Sequence, residues 1–172
     1  MKKNSHKKGF SLIELLVVIA IIAILTAIIT SNFGQSKAKA RDAKRVSDLA
    51  QIQLALELFF DRCNGYPLSI TDTSQTIVSC PNGITLGTYI SKVPTDTMYP
   101  YVYGVNDAIN ANPSTIGTDY ILKAQLETNN SSALQDDVDA NQTWVVYDGG
   151  YQLVTVDCSD SLTAYNYCVQ PK

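Results

Sequence analysis

Glu14 is the single charge in an otherwise apolar run, residues 10–29, whose only other polar side chains are Ser11 and Thr26. A carboxylate inside a membrane helix costs roughly 2.5 to 3.5 kcal/mol even on insertion scales, so it needs a cationic partner. The bland alternative is a shallow carboxylate that reaches the interface and is stabilised by the dipole of the first helical turn. Four cysteines, Cys63, Cys80, Cys158 and Cys168, form a second set. None belongs to a C-x-x-C pair, so two disulfides in an exported domain are the natural reading, against free thiols or a four-thiolate metal site. Four cysteines allow three pairings; short loop closure favours Cys63 with Cys80 and Cys158 with Cys168, and the other pairings stay open. A third set is the acidic run Asp136, Asp137 and Asp139, a calcium candidate that lacks the EF-hand pattern and reads first as a solvated loop. His6 is the only histidine and lies in the basic residues 1–9. A chain without that segment can run neither a Ser-His-Asp nor a Cys-His mechanism, nor bind zinc through imidazole. Carboxylate chemistry remains open.

The elements that position these residues follow from periodicity. Residues 10–29 are long and apolar enough to cross a bilayer as a helix. No proline interrupts residues 10–62, and only Gly34 weakens them, so the helix is expected to continue into a charged stem, ~80 Å in all at 1.5 Å per residue. Leu49, Ile52, Leu56, Phe59 and Cys63 recur at spacings of three and four, one stripe on which a domain can pack. Leu54 and Leu58 point elsewhere, which suits either the same core or burial against neighbouring copies. Asn64-Gly65-Tyr66-Pro67 ends the helix, with glycine expected at the cap and proline unable to continue.

Beyond Pro67 the composition turns to Thr, Ser, Asn, Gly and Tyr, with strands expected at residues 101–105, 120–126, 143–147 and 151–156. Asp148-Gly149-Gly150 is the expected turn of a hairpin joining the last two. The fold class is therefore α+β: a long N-terminal helix, apolar in its first half and amphipathic in its second, packed against a small antiparallel sheet. We divide the chain into residues 1–9, a basic leader; 10–33, the apolar helix; 34–62, the stem; and 63–172, a β-rich head with two disulfides.

Charge is distributed unevenly. The leader carries Lys2, Lys3, Lys7 and Lys8 and no acid, whereas residues 63–172 hold three basic residues against eleven acidic ones, a formal charge of −8. Such a head repels nucleic acid, which is bound by displacing counterions from phosphates. Lys37, Lys39, Arg41, Lys44 and Arg45 after the apolar run leave the positive-inside count nearly balanced, and the cysteines place the head outside the cytoplasm. The same basic run could meet anionic lipid headgroups or nucleic acid, or be the solvated flank of a span. An ordinary secretory signal cut near Ala38-Lys39-Ala40 fits poorly, because the apolar core is too long and Lys37 separates it from the small residues. Sequons at Asn129-Asn130-Ser131-Ser132 and Asn141-Gln142-Thr143 arise easily by chance in polar loops, and the ten tyrosines suit strands as well as an adhesive surface.

Lys7-Lys8-Gly9-Phe10-Ser11-Leu12-Ile13-Glu14 and the apolar run that follows resemble the class III signal of type IV prepilins and type II secretion pseudopilins. The resemblance extends through "ARDAKRVSDLAQIQLALELFFDRCNGYP", residues 40–67, and more loosely to "YISKVPTDTMYPYVYGV", residues 89–105. It implies that prepilin peptidase cuts between Gly9 and Phe10 and methylates Phe10. It further implies that Glu14 meets the freed ammonium of Phe10 on a neighbouring subunit and so selects its register. Buried ion pairs often give such specificity rather than stability. The chain lacks the family's mid-helix proline, reading Thr30-Ser31-Asn32-Phe33-Gly34 there, and lacks a clear counterpart of the pseudopilins' calcium loop.

The function implied is structural: a subunit of a type IV pilus or pilus-like filament, serving adhesion, twitching motility or DNA uptake, with no enzymatic activity and no required cofactor. Its expected partners are further copies of itself in a helical filament, prepilin peptidase, an inner-membrane assembly platform, and membrane lipid before assembly; DNA is disfavoured by the acidic head. It would cross the inner membrane once, head outside the cytoplasm, and end in a surface or periplasmic filament. A major pseudopilin of a type II secretion system is the alternative. From other classes come a ligand-binding minor pilin and a membrane-tethered carboxylate hydrolase, the last requiring two acids that face each other in a cleft.

Overall fold

The computed structural model describes residues 9–74, 80, 81, 83–105, 117–129, 131–135, 137–139, 142–147, 151–161 and 164–171. The expected hairpin turn at residues 148–150 lies outside them. Contacts divide the chain into two compact units, Met1–Ala38 and Lys39–Lys172. One helix, α1 (Leu12–Cys63, 52 residues), contributes to both.

In the first unit, residues 12–30 of α1 are apolar apart from Glu14, Thr26 and Thr30, and all are exposed. This segment is long enough to cross a membrane, as the unbroken apolar sequence predicts. Thr26 and Thr30 return their hydroxyls to carbonyls one turn back, at 2.7 Å to Ile22 and 3.0 Å to Thr26, so neither presents an unpaired donor in an apolar setting.

In the second unit, α1 ends at Asn64, which takes the left-handed conformation (φ 52°) and donates its N–H to the carbonyl of Phe60 at 2.8 Å. Sequence expectation gave the cap to glycine. Asparagine occupies it because its short polar side chain tolerates left-handed φ better than most residues.

Five strands follow: β1 (Val102–Val105), β2 (Tyr120–Leu126), β3 (Gln142–Tyr147), β4 (Tyr151–Val156) and β5 (Tyr165–Val169). A short helix, α2 (Ser131–Leu134), separates β2 from β3. The sheet is antiparallel, in the order β4-β3-β1-β2-β5. Four strands fall within a residue of their expected positions. The fifth, Tyr-Asn-Tyr-Cys-Val, has no counterpart in the sequence reading. Its Asn166 is a poor strand former and is buried because its side-chain amide donates to the Ser159 carbonyl at 2.8 Å.

Alternation along the strands builds two cores. Tyr103, Val105, Tyr120, Leu122 and Ala124 face the stem stripe Leu49, Ile52, Leu56, Phe59 and Cys63. Ile121, Trp144, Val156, Cys158 and Cys168 cluster on the other face. Gly104 belongs to this second face, where an added Cβ would stand 2.7 Å from the Cβ of Trp144, so only glycine admits the indole side chain.

Candidate functional site

The start of α1 is held by its own sequence. The Ser11 N–H donates to Glu14 Oε2 at 2.8 Å, and the Glu14 N–H donates to Ser11 Oγ at 3.3 Å, the reciprocal bonds of a capping box. Glu14 therefore has a partner within its own first turn. Sequence reasoning overlooked this, although Ser-Leu-Ile-Glu carries the S-x-x-E spacing that signals it. Phe10 is 89% exposed, and a Cβ added at Gly9 would meet nothing within 4 Å.

A second constellation lies where the stem enters the head. Arg45, 1% exposed, donates from Nε to Asp96 at 2.9 Å and from Nη1 to Asp42 and Glu127, each at 2.8 Å. Its guanidinium carbon stands 5.0 Å from the centre of the Tyr99 ring. Asp42, fully buried, accepts from the Glu127 and Thr128 backbone N–H groups at 2.8 Å and from the Thr128 hydroxyl at 2.7 Å. Glu127 is chelated by Arg41, whose bonds, with those of Arg45, outweigh partial burial and pull its carboxyl down to about 2. Burial lowers the basicity of Arg45, but its bonds to Asp96, Glu127 and Asp42 outweigh that, and its pKa is raised. Three of the five cations after the span are thus neutralised inside the head unit, Lys44 by Asp48 at 2.9 Å. Lys37 and Lys39 remain exposed, the former with its ammonium 5.2 Å from the Phe33 ring centre. Of the five cations read as a solvated flank or a lipid or nucleic-acid contact, Arg45 alone is buried, whereas the side chains of Arg41 and Lys44 stay 45% and 65% exposed beside their acids.

Comparison with known proteins bears on the first of these constellations. Residues 4–30 match the family model of the prokaryotic N-terminal methylation motif. Over 99 residues the chain is 33% identical to the type II secretion system core protein G of Aeromonas hydrophila, covering 55% of this chain and 69% of that protein. The chain belongs to the type IV pilin and type II secretion pseudopilin family. Core protein G of Escherichia coli is 29% identical over 130 residues, 72% of this chain and 85% of that protein. The type IV major pilin protein PilA of Myxococcus xanthus is 36% identical over 63 residues, 37% of this chain and 29% of that protein. No solved structure matches the chain significantly.

The head of this pilin-like subunit is cross-linked by Cys63–Cys80 and Cys158–Cys168. The first ties the end of α1 to the loop before β1, and the second joins the segment after β4 to β5. Among the described residues no three His, Cys, Asp or Glu side chains converge in a metal-holding group. Of the calcium candidates, Asp136 lies outside the described residues. Asp137 Oδ2 accepts the Cys168 N–H at 3.4 Å, and its Oδ1 is buried with no hydrogen-bond partner among the described residues. Burial pushes the Asp137 carboxyl up to about 6, with Asp139 and Asp160 adding to the rise against the bond from Cys168. A cavity of about 610 Å³ lies between Ser69, Ile70, Thr71 and Thr73 and residues 91–96 and 100–103, and its lining holds a single acid, Asp96, already bonded to Arg45. The facing pair of acids that a carboxylate hydrolase requires is not found in that cavity.

Proposed function

We propose that this chain is the structural subunit of a type IV pilus or pilus-like filament, matured by cleavage after Gly9 and methylation of Phe10. The observation that carries the reading is the wholly exposed apolar helix of residues 12–30. No described residue of its own chain covers it, so a bilayer must cover it before assembly and other copies afterwards. The folded chain makes no steric demand for glycine at position 9, which supports a role in recognition by prepilin peptidase. Farther along α1, Leu54 and Leu58 are 62% and 44% exposed on the side away from the head core, which supports burial against neighbouring subunits. In the single subunit Glu14 is held by Ser11; on assembly it is offered the ammonium of a neighbour's Phe10, a stronger, charged partner.

A second reading, the major pseudopilin of a type II secretion system, is favoured by one observation. The similarity to core protein G of Escherichia coli reaches 72% of this chain, whereas that to PilA ends at 37%. The head with two disulfides favours a fibre exposed to the environment.

Mass spectrometry of the mature protein tests the shared core of both readings: a methylated Phe10 at the N-terminus is expected, and a chain beginning at Met1 or after Ala40 would overturn it. Microscopy of intact cells with a labelled head separates the machines. Long extracellular fibres mark a pilus; label confined to the envelope, with loss of exported proteins on deletion, marks the secretion filament.

A further inference from the structure

The two edges of the head sheet are treated differently. At β5 three outward backbone groups are taken: the Asn166 N–H by Asp160 Oδ1 at 2.9 Å, the Cys168 N–H by Asp137 Oδ2 at 3.4 Å, and the Cys168 carbonyl by the Val138 N–H at 3.0 Å. Two carboxylates on an edge both occupy its donors and repel an incoming acidic head. At β4 alternate residues turn their N–H and C=O groups away from β3, and no hydrogen bond to that edge is seen among the described residues. The strand reads Tyr-Gln-Leu-Val-Thr-Val: six residues with no charge, proline or glycine, rich in β-branched types, with Val154 and Thr155 exposed.

We propose that β4 is a self-pairing edge, at which two copies of this chain join their sheets antiparallel, β4 against β4, about a two-fold axis. Charge selects the occupant. Heads of formal charge −8 repel one another wherever acids are exposed, and β4 is a neutral strip in such a head. An antiparallel pairing centred on Leu153 sets the nearest acid, Asp157, opposite Gly149, and one centred on Val154 sets it opposite Tyr151. Over residues 151–157 neither register brings acid against acid.

An isologous contact closes at two and cannot extend a helical filament, whose contacts are head-to-tail. The β4 pair therefore joins two filaments, or two subunits not yet assembled. One six-residue pairing is weak, but repetition along two filaments makes it effective through avidity.

The test uses the full chain in detergent. Under mild oxidation Val154→Cys should give a cross-linked dimer about ten-fold more than Met98→Cys, an exposed control elsewhere on the head, and adding Thr155→Lys should reduce it about ten-fold by placing charge on the edge. Equal cross-linking at both positions, or indifference to Thr155→Lys, overturns the proposal. Hydrogen exchange on the unaltered protein is an independent check: β4 amides should slow as concentration rises, and concentration-independent exchange overturns the pairing. The consequence for filaments rests on the filament reading. Thr155→Lys filaments that form but no longer bundle support it, and bundling as before overturns it. Absence of filaments from the unaltered chain counts against the filament reading and leaves the cross-linking result standing.

Discussion

The two halves of α1 obey the same helical geometry and opposite rules of burial. Residues 12–30 carry apolar side chains at every position but Glu14, Thr26 and Thr30, and no described residue covers them. From Asp42 onward the helix divides into a buried stripe, Leu49 to Cys63, and an outer face on which Ala50, Leu54 and Leu58 stand exposed. The first half has no inside of its own, so its environment must be lipid or other copies. The second half has one, and there even charges are internal: Asp42 and Arg45 are among the most buried residues of the head. A polar side chain in the apolar half is therefore a candidate for contact between chains, whereas a polar side chain in the stem is first a device of the fold.

The comparison can be broken most sharply at its two carboxylates. Glu14→Ala should leave head stability unchanged while filament yield collapses, because only an assembled neighbour requires the charge; normal yield from both Glu14→Ala and Glu14→Gln would reduce Glu14 to a helix cap. Arg45→Met should do the reverse. It leaves Asp42 buried without its cation and should destabilise the head by about 3 to 5 kcal/mol in denaturant titrations. A loss under about 1 kcal/mol would mean that water reaches the network.

Adjacent leucines sharpen the same contrast within one turn. Leu56→Ala, in the core, should cost about 2 to 5 kcal/mol, whereas Leu54→Ala should stay within about 0.5 kcal/mol and act on assembly alone. Equal stability losses would show that Leu54 is covered within the chain. Removing Cys158 and Cys168 together should cost about 2 to 4 kcal/mol, read as a lower denaturant midpoint for the purified full chain.

The smallest expected effect is the pH profile. The Asp137 carboxyl is raised from its ordinary value near 3.8 to about 6, so its contribution to stability is fully present below about pH 4 and lost as pH rises through 6. Glu127 is lowered from about 4.5 to about 2, so its contribution is present above pH 4.5 and lost as pH falls through 2. Considered together, these two groups place a maximum near pH 4. Asp137→Asn should flatten the limb between pH 4 and 6 and leave the acid limb in place; an unchanged profile would show that Asp137 is better solvated than its burial indicates.

Periodicity and composition determined the long helix, its apolar half, the stem stripe and the β character of the head, and resemblance to a known signal marked Gly9, Phe10 and Glu14. These rest on local patterns: hydropathy over twenty residues, a three-and-four spacing, and a run of residues adjacent in the chain. Two features were equally local and still overlooked, the capping box at Ser11 and the left-handed cap at Asn64. The rest was decided by residues distant in sequence. Arg45 looked like one of five juxtamembrane cations until Asp96 and Glu127, 51 and 82 positions away, came within 2.9 Å of it. Strand β5 exists because β2 pairs with it and Ser159 satisfies Asn166, and β4 became an edge only through the order of the sheet. Local pattern records which side chains prefer to leave water; only the closed fold decides which charged groups find partners when they do, because an ion pair requires both of its members in one place.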